Sequence, residues 1–516
     1  MQLGVVENLS FLTPEILLTV TLGAVIALDI GGPKDRKGLV ARLAATGLGA
    51  TLLMVILTYF ELETKQRARV FLFADSFVVD PFSMFFKLVA GVCSFMIALF
   101  AAKVRRIESQ GEGEFYTLLL VTTLGIFLMA GVTDLVGMVV AIETLSIPSY
   151  ILAGFYKRDR GSSEASLKYV LYGATASGSM LFGLAFLYGL SGTTSFQGIS
   201  AAIASGRADV LSISLMLGLV LIGLGFKISA APFHMWTPDV YEGSPTAVTA
   251  YLSTASKAGG FAILIRLFYS ILARPEVASR PEGQWIPIGD PGWTTLVAVI
   301  AVVTMTIGNL AAYKQTNVKR LLAYSSIAHA GYILLGFVVM HGSGLMAMLF
   351  YIATYVFMNL GAFLCVIAVS EAGGGEEISD FRGLGWRAPF LGFCMAAFLF
   401  SLTGLPPLAG FVGKVYLFAA LVEHGWVWLS VVAALNSAVS LYYYVRVVKT
   451  MYLEGIPRRA GDVVPLRIGS HFGIMLFVCL VPTILFGIYW QPLARLATWS
   501  VGASAPVEAR PVAAHK

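Results

Sequence analysis

Apolar stretches of about twenty residues recur almost from end to end of this 516-residue chain, separated by short polar breaks that carry charge, Gly or Pro. A helix needs about 20 mostly apolar residues to cross the hydrocarbon of a bilayer. Reading the breaks at charge clusters and turn residues places spans near 11–30, 40–60, 80–102, 115–133, 135–156, 165–190 and 211–237. The rest of the chain yields spans near 246–272, 293–313, 319–341, 344–370, 389–421, 425–452 and 470–490. The pattern predicts an all-α polytopic membrane protein with about fourteen transmembrane helices. The first stretch, Phe11 to about Ile30, follows the acidic Glu7 and runs on into further spans, so it reads as a transmembrane helix and not as a cleavable signal.

Composition sharpens this picture. Hydrophobic residues make up 57% of the chain and charged residues 12%, against roughly 25% charged in a soluble domain. The net charge of +6 would suggest nucleic acid in a soluble protein, but here the basic residues sit in short loops between spans, where they set membrane orientation. One alternating set of loops holds Lys34, Arg36 and Lys37, then Lys103, Arg105 and Arg106, Lys157, Arg158 and Arg160, Lys314, Lys319 and Arg320, Arg382 and Arg387, and Arg458, Arg459 and Arg467. These loops are expected on the cytoplasmic side of the cell inner (plasma) membrane, with both termini on the periplasmic side. The cluster Lys65, Arg67 and Arg69 on the opposite side is a counter-signal. Cys93, Cys365, Cys394 and Cys479 all fall in apolar stretches without the spacing of a zinc, haem or iron–sulfur site, so no metal or cofactor is expected in this chain.

Two separated runs share a local pattern, Ser149-Tyr150-Ile151-Leu152-Ala153-Gly154-Phe155 and Gly331-Tyr332-Ile333-Leu334-Leu335-Gly336-Phe337. Each is followed two spans later by an apolar segment interrupted by proline, Ser229-Ala230-Ala231-Pro232-Phe233 and Gly404-Leu405-Pro406-Pro407-Leu408-Ala409-Gly410. Proline inside a helix removes a hydrogen bond, and in lipid the freed groups must be buried in protein or line a hydrated cavity. Paired broken helices point to two transport half-sites. Each repeat contains five spans, an odd number, so the repeats are expected to be inverted. The organisation that follows is a three-helix segment 1–113, a first five-helix repeat 114–273, a second inverted repeat 274–455, and a C-terminal helix and tail 456–516.

Ionisable residues inside the spans are the candidate chemistry. Glu143 lies roughly 13 Å into its span at 1.5 Å per residue, near the bilayer centre. Lys227 precedes the first break, Lys257 lies mid-span in the next helix, and Lys414 follows the second break. A charge at that depth costs on the order of 2.5–3.5 kcal/mol even on the lenient insertion scale, so four of them imply use. Burial favours a neutral amine while a nearby carboxylate favours the ammonium, so motion of Glu143 relative to Lys227 would switch proton affinity. Lysine suits this and arginine does not. His234 and His329 are candidate relay groups because imidazole titrates near neutrality. Lys168 and Glu164, four residues apart, have the spacing of a helix-surface ion pair and are also candidates for proton uptake. Lys87 and Arg266 lie close enough to span ends to snorkel to the interface and are left out of the path.

At these residues the sequence resembles the antiporter-like membrane subunits of respiratory complex I, the proton-translocating NADH:quinone oxidoreductase. The run Gly225-Phe226-Lys227-Ile228-Ser229-Ala230-Ala231-Pro232-Phe233-His234-Met235-Trp236-Thr237-Pro238 is similar to the signature of the lysine-bearing broken helix. The continuation Asp239-Val240-Tyr241-Glu242-Gly243 favours the subunit N family over its sisters. Lys319-Arg320-Leu321-Leu322-Ala323-Tyr324-Ser325-Ser326-Ile327-Ala328-His329 and Gly413-Lys414 add to it. The resemblance implies proton-path roles at Glu143, Lys227, Lys257 and Lys414. It also implies a non-redox subunit of a translocase, with FMN, iron–sulfur clusters and quinone held by partner subunits, among them sister antiporter-like and small membrane subunits. The competing readings are a subunit of a multisubunit sodium/proton antiporter, which would exchange sodium without NADH, and a scaffold whose charges only pair within the bundle.

Overall fold

The computed structural model describes residues 9–32, 38–65, 69–206, 209–275, 285–287, 292–455, 458–459, 462–463, 466 and 469–502. The chain begins with α1 (Thr13–Gly31), α2 (Leu39–Thr64), α3 (Pro81–Ala101), α4 (Arg105–Gly131), α5 (Leu135–Ala153) and α6 (Arg160–Ser191). A short helix α7 (Phe196–Ala204) leads into α8 (Val210–Ile228), which stops at the first break and resumes as α9 (Trp236–Gly243). Then comes α10, Thr246–Ile271. The second half runs α11 (Trp293–Ala312), α12 (Val318–Val338), α13 (Gly342–Glu371), α14 (Pro389–Thr403), α15 (Ala409–Glu423) and α16 (Val427–Tyr452), followed by α17 (Ser470–Ile488) and α18 (Gln491–Gly502).

Among the described residues, thirteen helices are long and apolar enough to cross a membrane. Helices α14 and α15, of 15 residues each, share one further crossing through the second break. Five crossings, α4, α5, α6, α8 and α10, are matched by five more, α11, α12, α13, α14–α15 and α16, and an odd number inverts the second set. The first two helices of each set pack backbone to backbone through glycine. A Cβ on Gly125 of α4 would stand 2.6 Å from the Leu145 amide of α5, and one on Gly308 of α11 2.6 Å from the Ala328 amide of α12. Such close contact is how helices associate in lipid, where apolar side chains gain nothing by leaving the solvent.

Helix starts are written locally. Asp80, Asp134 and Asp159 cap α3, α5 and α6 by accepting from backbone amides of the first turn, and Asn317 does so for α12. Packing then sorts the helices into layers. Helices α3, α10, α12 and α13 are enclosed along most of their length, while α6 and α16 turn Leu167, Leu171, Phe182, Leu435 and Tyr442 outward as a lipid-type surface.

Two expectations need correction. Lys87 and Arg266 do not snorkel, because α3 and α10 are inner helices whose ends are covered. Lys87 is fully buried with its Nζ 2.5 Å from Glu15 of α1. The Arg266 guanidinium makes a bidentate bridge to Asp80, at 2.6 and 2.8 Å. An antiparallel hairpin, β1 (Val70–Leu72) with β2 (Phe77–Val79), lies between α2 and α3. Two of the basic clusters are joined by ion pairs, Arg106 to Asp159 at 2.7 Å and Lys157 to Glu114 at 2.8 Å. In the counter-signal cluster, Lys65 pairs with Glu61 one turn back at 2.6 Å. The expected positions of both termini, and of Lys34, Arg36, Lys37, Arg67 and Arg467, lie outside the described residues.

Candidate proton-translocation site

Glu143 and Ser146 stand one turn apart on α5. Ser177 of α6 donates to Glu143 Oε1 at 2.8 Å, and Lys227 Nζ donates to Ser146 Oγ at 2.9 Å. Carboxylate and ammonium are therefore held by separate hydroxyls, with Ser146 between them. Glu143 is half-buried on a face that also shows Val140 and Ile147, whereas Lys227 is buried.

Lys227 sits in the last turn of α8 because Ser229, at φ 61°, ends the helix. The groups freed by the break find partners inside the protein, as lipid demands. The Ala230 amide donates to the Gly225 carbonyl at 2.8 Å, Trp236 Nε1 to the Phe226 carbonyl at 3.1 Å, and the Ala231 amide to Thr304 Oγ1 at 2.9 Å. Gly260 of α10 faces the Lys227 stem, with its virtual Cβ 3.2 Å from Lys227 Cγ.

Lys257 lies one turn from Gly260 on the same helix, directly after a π-helical turn over Leu252–Ser256. Such turns rotate the following residues relative to a regular helix and recur at functional sites. Lys257 Nζ donates to the Ser326 carbonyl of α12 at 2.8 Å and to the Ser326 hydroxyl. One turn on, His329 Nδ1 is 2.8 Å from the Tyr351 hydroxyl and Nε2 is 3.3 Å from that of Tyr444, which in turn is 2.5 Å from Ser325 Oγ.

Lys414 reaches back across the second break. Its Nζ donates to the carbonyls of Leu402 and Thr403, at 3.2 and 2.7 Å, and to Ser437 Oγ at 2.8 Å. The end of α14 is thus capped by an ammonium, the charge that a helix C-terminus favours. The stem passes where a side chain at 404 would stand. Gly404 has φ 90°, and a Cβ there would lie 2.8 Å from Lys414 Cδ.

The remaining candidates lie elsewhere. Lys168 pairs with Glu164 at 2.7 Å as its spacing suggests, and also with Asp239 at 2.6 Å. Asp239 passes the network to Arg320 at 2.8 Å, and Arg320 to Glu242 at 2.7 Å. These groups line a cavity of about 580 Å³ together with Lys319 and Glu376. Lys168 is nine residues from Ser177, about 13 Å along α6, so this vestibule does not touch Glu143 directly. His234 is buried in the first break, and its Nδ1 has no hydrogen-bond partner among the described residues.

Sequence reasoning missed the oxygens that hold the lysines. Ser326 lies in the run from Lys319 to His329, one turn from His329, and Ser146 lies one turn from Glu143. Tyr351, Ser437 and Tyr444 carry no local signal, and Asp239 was quoted only as part of a signature. Among the described residues, no group of three His, Cys, Asp or Glu side chains is arranged to hold a metal.

Residues 132–440 match the family described as NADH:quinone oxidoreductase/Mrp antiporter, TM. The NADH-quinone oxidoreductase subunit N 2 of Sorangium cellulosum is 44% identical over 96% of this chain and 98% of that protein. Subunit N of an Anaeromyxobacter species is 45% identical over 82% and 84%. A chain in the structure of respiratory complex I from Thermus thermophilus with bound aureothin superposes with a TM-score of 0.76, at 32% identity over 94% of this chain and all of that one. A chain of the Mrp complex from Dietzia shares the fold, with a TM-score of 0.81 at 23% identity over 96% of this chain and 97% of that one. The chain belongs to the NADH:quinone oxidoreductase/Mrp antiporter family of membrane subunits, among its NADH-quinone oxidoreductase subunit N members.

Proposed function

We propose that the chain is the membrane-arm subunit N of an NADH:quinone oxidoreductase and translocates protons through its buried Glu and Lys residues. It is a multi-pass subunit of the inner membrane, without redox chemistry of its own, coupled to electron transfer from NADH to quinone in partner subunits that hold FMN, iron–sulfur clusters and quinone. The observation that carries this reading is how the three lysines are held. Lys227, Lys257 and Lys414 are each buried at a break or beside a π turn, and each amine bonds to neutral oxygens alone among the described residues. Neutral partners let an amine give up its proton without leaving a bound carboxylate unpaired. A carboxylate one turn from the Lys227 contact, at Glu143, supplies a charge whose approach would hold the proton there.

The path runs laterally, from Glu143 to Lys227, past Gly260 to Lys257, through Ser326 and His329, and on to Lys414. Lys168 and Glu164, with Asp239, form the mouth that takes up protons on the cytoplasmic side, and His234 in the first break is an auxiliary relay. The repeats at 114–273 and 274–455 are the two half-channels.

The test is Lys227→Ala in the assembled complex, reconstituted in vesicles with NADH and quinone. Proton pumping and the coupled reductase rate should both fall, because a relay member is lost. Normal pumping by a normally assembled variant sinks the reading. Sodium exchange by this chain alone, without NADH, would favour the antiporter.

A further inference from the structure

Lys414 differs from the buried cations that lie beside a carboxylate, and also from Lys257, whose amine is held by Ser326 with no ring among its described contacts. Lys87 and Arg266 each touch a carboxylate, and Lys227 has Glu143 one turn from the serine that holds it. Among the described residues no carboxylate pairs with Lys414. Instead its Nζ stands over the ring of Tyr332, 4.6 Å from the centroid. An aromatic face carries the negative end of a quadrupole and attracts a cation, most strongly where water is excluded. Tyr332 is 1% exposed and Lys414 3%.

The ring is held in that attitude by a closed polar node between α11, α12 and α16. Asn309 of α11, fully buried, donates from Nδ2 to the Tyr332 hydroxyl at 3.1 Å. Its Oδ1 accepts from the Tyr443 hydroxyl at 3.0 Å, and Nδ2 also reaches the Asn436 carbonyl and Oδ1 at 3.1 and 3.2 Å. Asn436 is anchored in turn to Thr306 Oγ1 at 3.2 Å and the Val432 carbonyl at 3.0 Å. A buried amide with every group engaged is a rigid support, and none of these residues is used by the path described above.

We propose that Tyr332 is the counter-group of Lys414, its ring face taking the place of a carboxylate, and that Asn309 is the positioning residue that keeps the ring there. The inference rests on the reading that Lys414 carries protons, and deepens it. A ring steadies the ammonium without competing for its proton, and it leaves no unpaired charge when the amine is neutral. The two breaks then work differently. Lys227 answers to a carboxylate whose distance can change, and Lys414 to a fixed neutral ring.

The test keeps shape constant and varies the ring's electrostatics. Phenylalanine and its mono-, di- and trifluorinated analogues are placed at position 332 of the full chain, and the assembled complex is reconstituted in vesicles. Tyr332→Phe loses the Asn309 hydrogen bond and is the reference for the series; NADH-driven proton pumping should fall stepwise below it with each fluorine, to roughly tenfold, in the range one desolvated cation–π contact allows. A series that stays flat overturns the proposal, because a structural role depends on shape alone. Tyr332→Leu should match the most fluorinated analogue and should add no further loss to Lys414→Met, since the contact it removes is already gone; multiplying losses also overturn the proposal. If Lys414→Met pumps normally, the assignment of Lys414 to the path fails first, whereas a flat series beside an inactive Lys414→Met removes only the role of the ring.

Discussion

Replacing Asp80 by Asn tests the energetics of the buried charges that do not move protons. Asp80 is fully buried and Arg266 is 7% exposed, and two parallel hydrogen bonds of 2.6 and 2.8 Å join them. Asn is the informative change because its Oδ1 still accepts from the Ser83 amide, now 2.8 Å away, so the cap of α3 survives while the charge is lost. Its amide group then faces Arg266 donor to donor. Removing one partner of a buried pair costs about 3–5 kcal/mol. Arg266 keeps two bonds to the Ala130 carbonyl, at 2.6 and 3.2 Å, and its place over the Phe82 ring at 4.7 Å, so the lower end, about 3 kcal/mol, is expected. Arg266→Met, which retains the aliphatic stem, should cost a similar amount by stranding Asp80. Asp80→Asn with Arg266→Met should cost little more than either alone. The measurement is SDS-driven unfolding of the full chain in mixed micelles, followed by circular dichroism. Single losses that sum in the double variant to within about 0.5 kcal/mol would show that the pair is not coupled and refute the reasoning.

Two further outcomes follow from single contacts. Gly404→Ala should destabilise the chain by about 1–2 kcal/mol, the cost of a left-handed conformation for a residue with a Cβ. It should also lower pumping by displacing the Lys414 stem from its 2.8 Å approach; unfolding and vesicle pumping measured on one preparation check both, and wild-type values of both contradict the account. Asp239→Ala removes the carboxylate shared by Lys168 and Arg320. Because all three side chains are partly exposed, the loss of stability should be under about 1 kcal/mol, while the initial pumping rate falls several-fold; an unchanged rate counts against the vestibule as the mouth of the path.

The membrane character, the spans and both breaks were legible in the sequence because lipid leaves the backbone so few options. An apolar run of about 20 residues has one solution there, a helix, and Pro232, like Pro406 with Pro407, marks where such a run is interrupted, whereas Pro148 and Pro482 sit inside continuous helices. Glu143, Lys227, Lys257 and Lys414 stood out for the same reason, since a charge at that depth is too costly to be incidental. Tertiary structure decided what each charge touches. Lys227 meets Ser146 from 81 positions away and Lys257 meets Ser326 from 69, separations at which no helical or strand periodicity operates. It also decided which span ends are open to the interface, so Lys87 and Arg266, near their helix ends in sequence, are enclosed by neighbours that only the packed bundle supplies. The π turn before Lys257 and the ring beneath Lys414 belong to the same class. A sequence states the cost of burying a charge, and the arrangement of helices around it supplies the partners that make the burial tolerable.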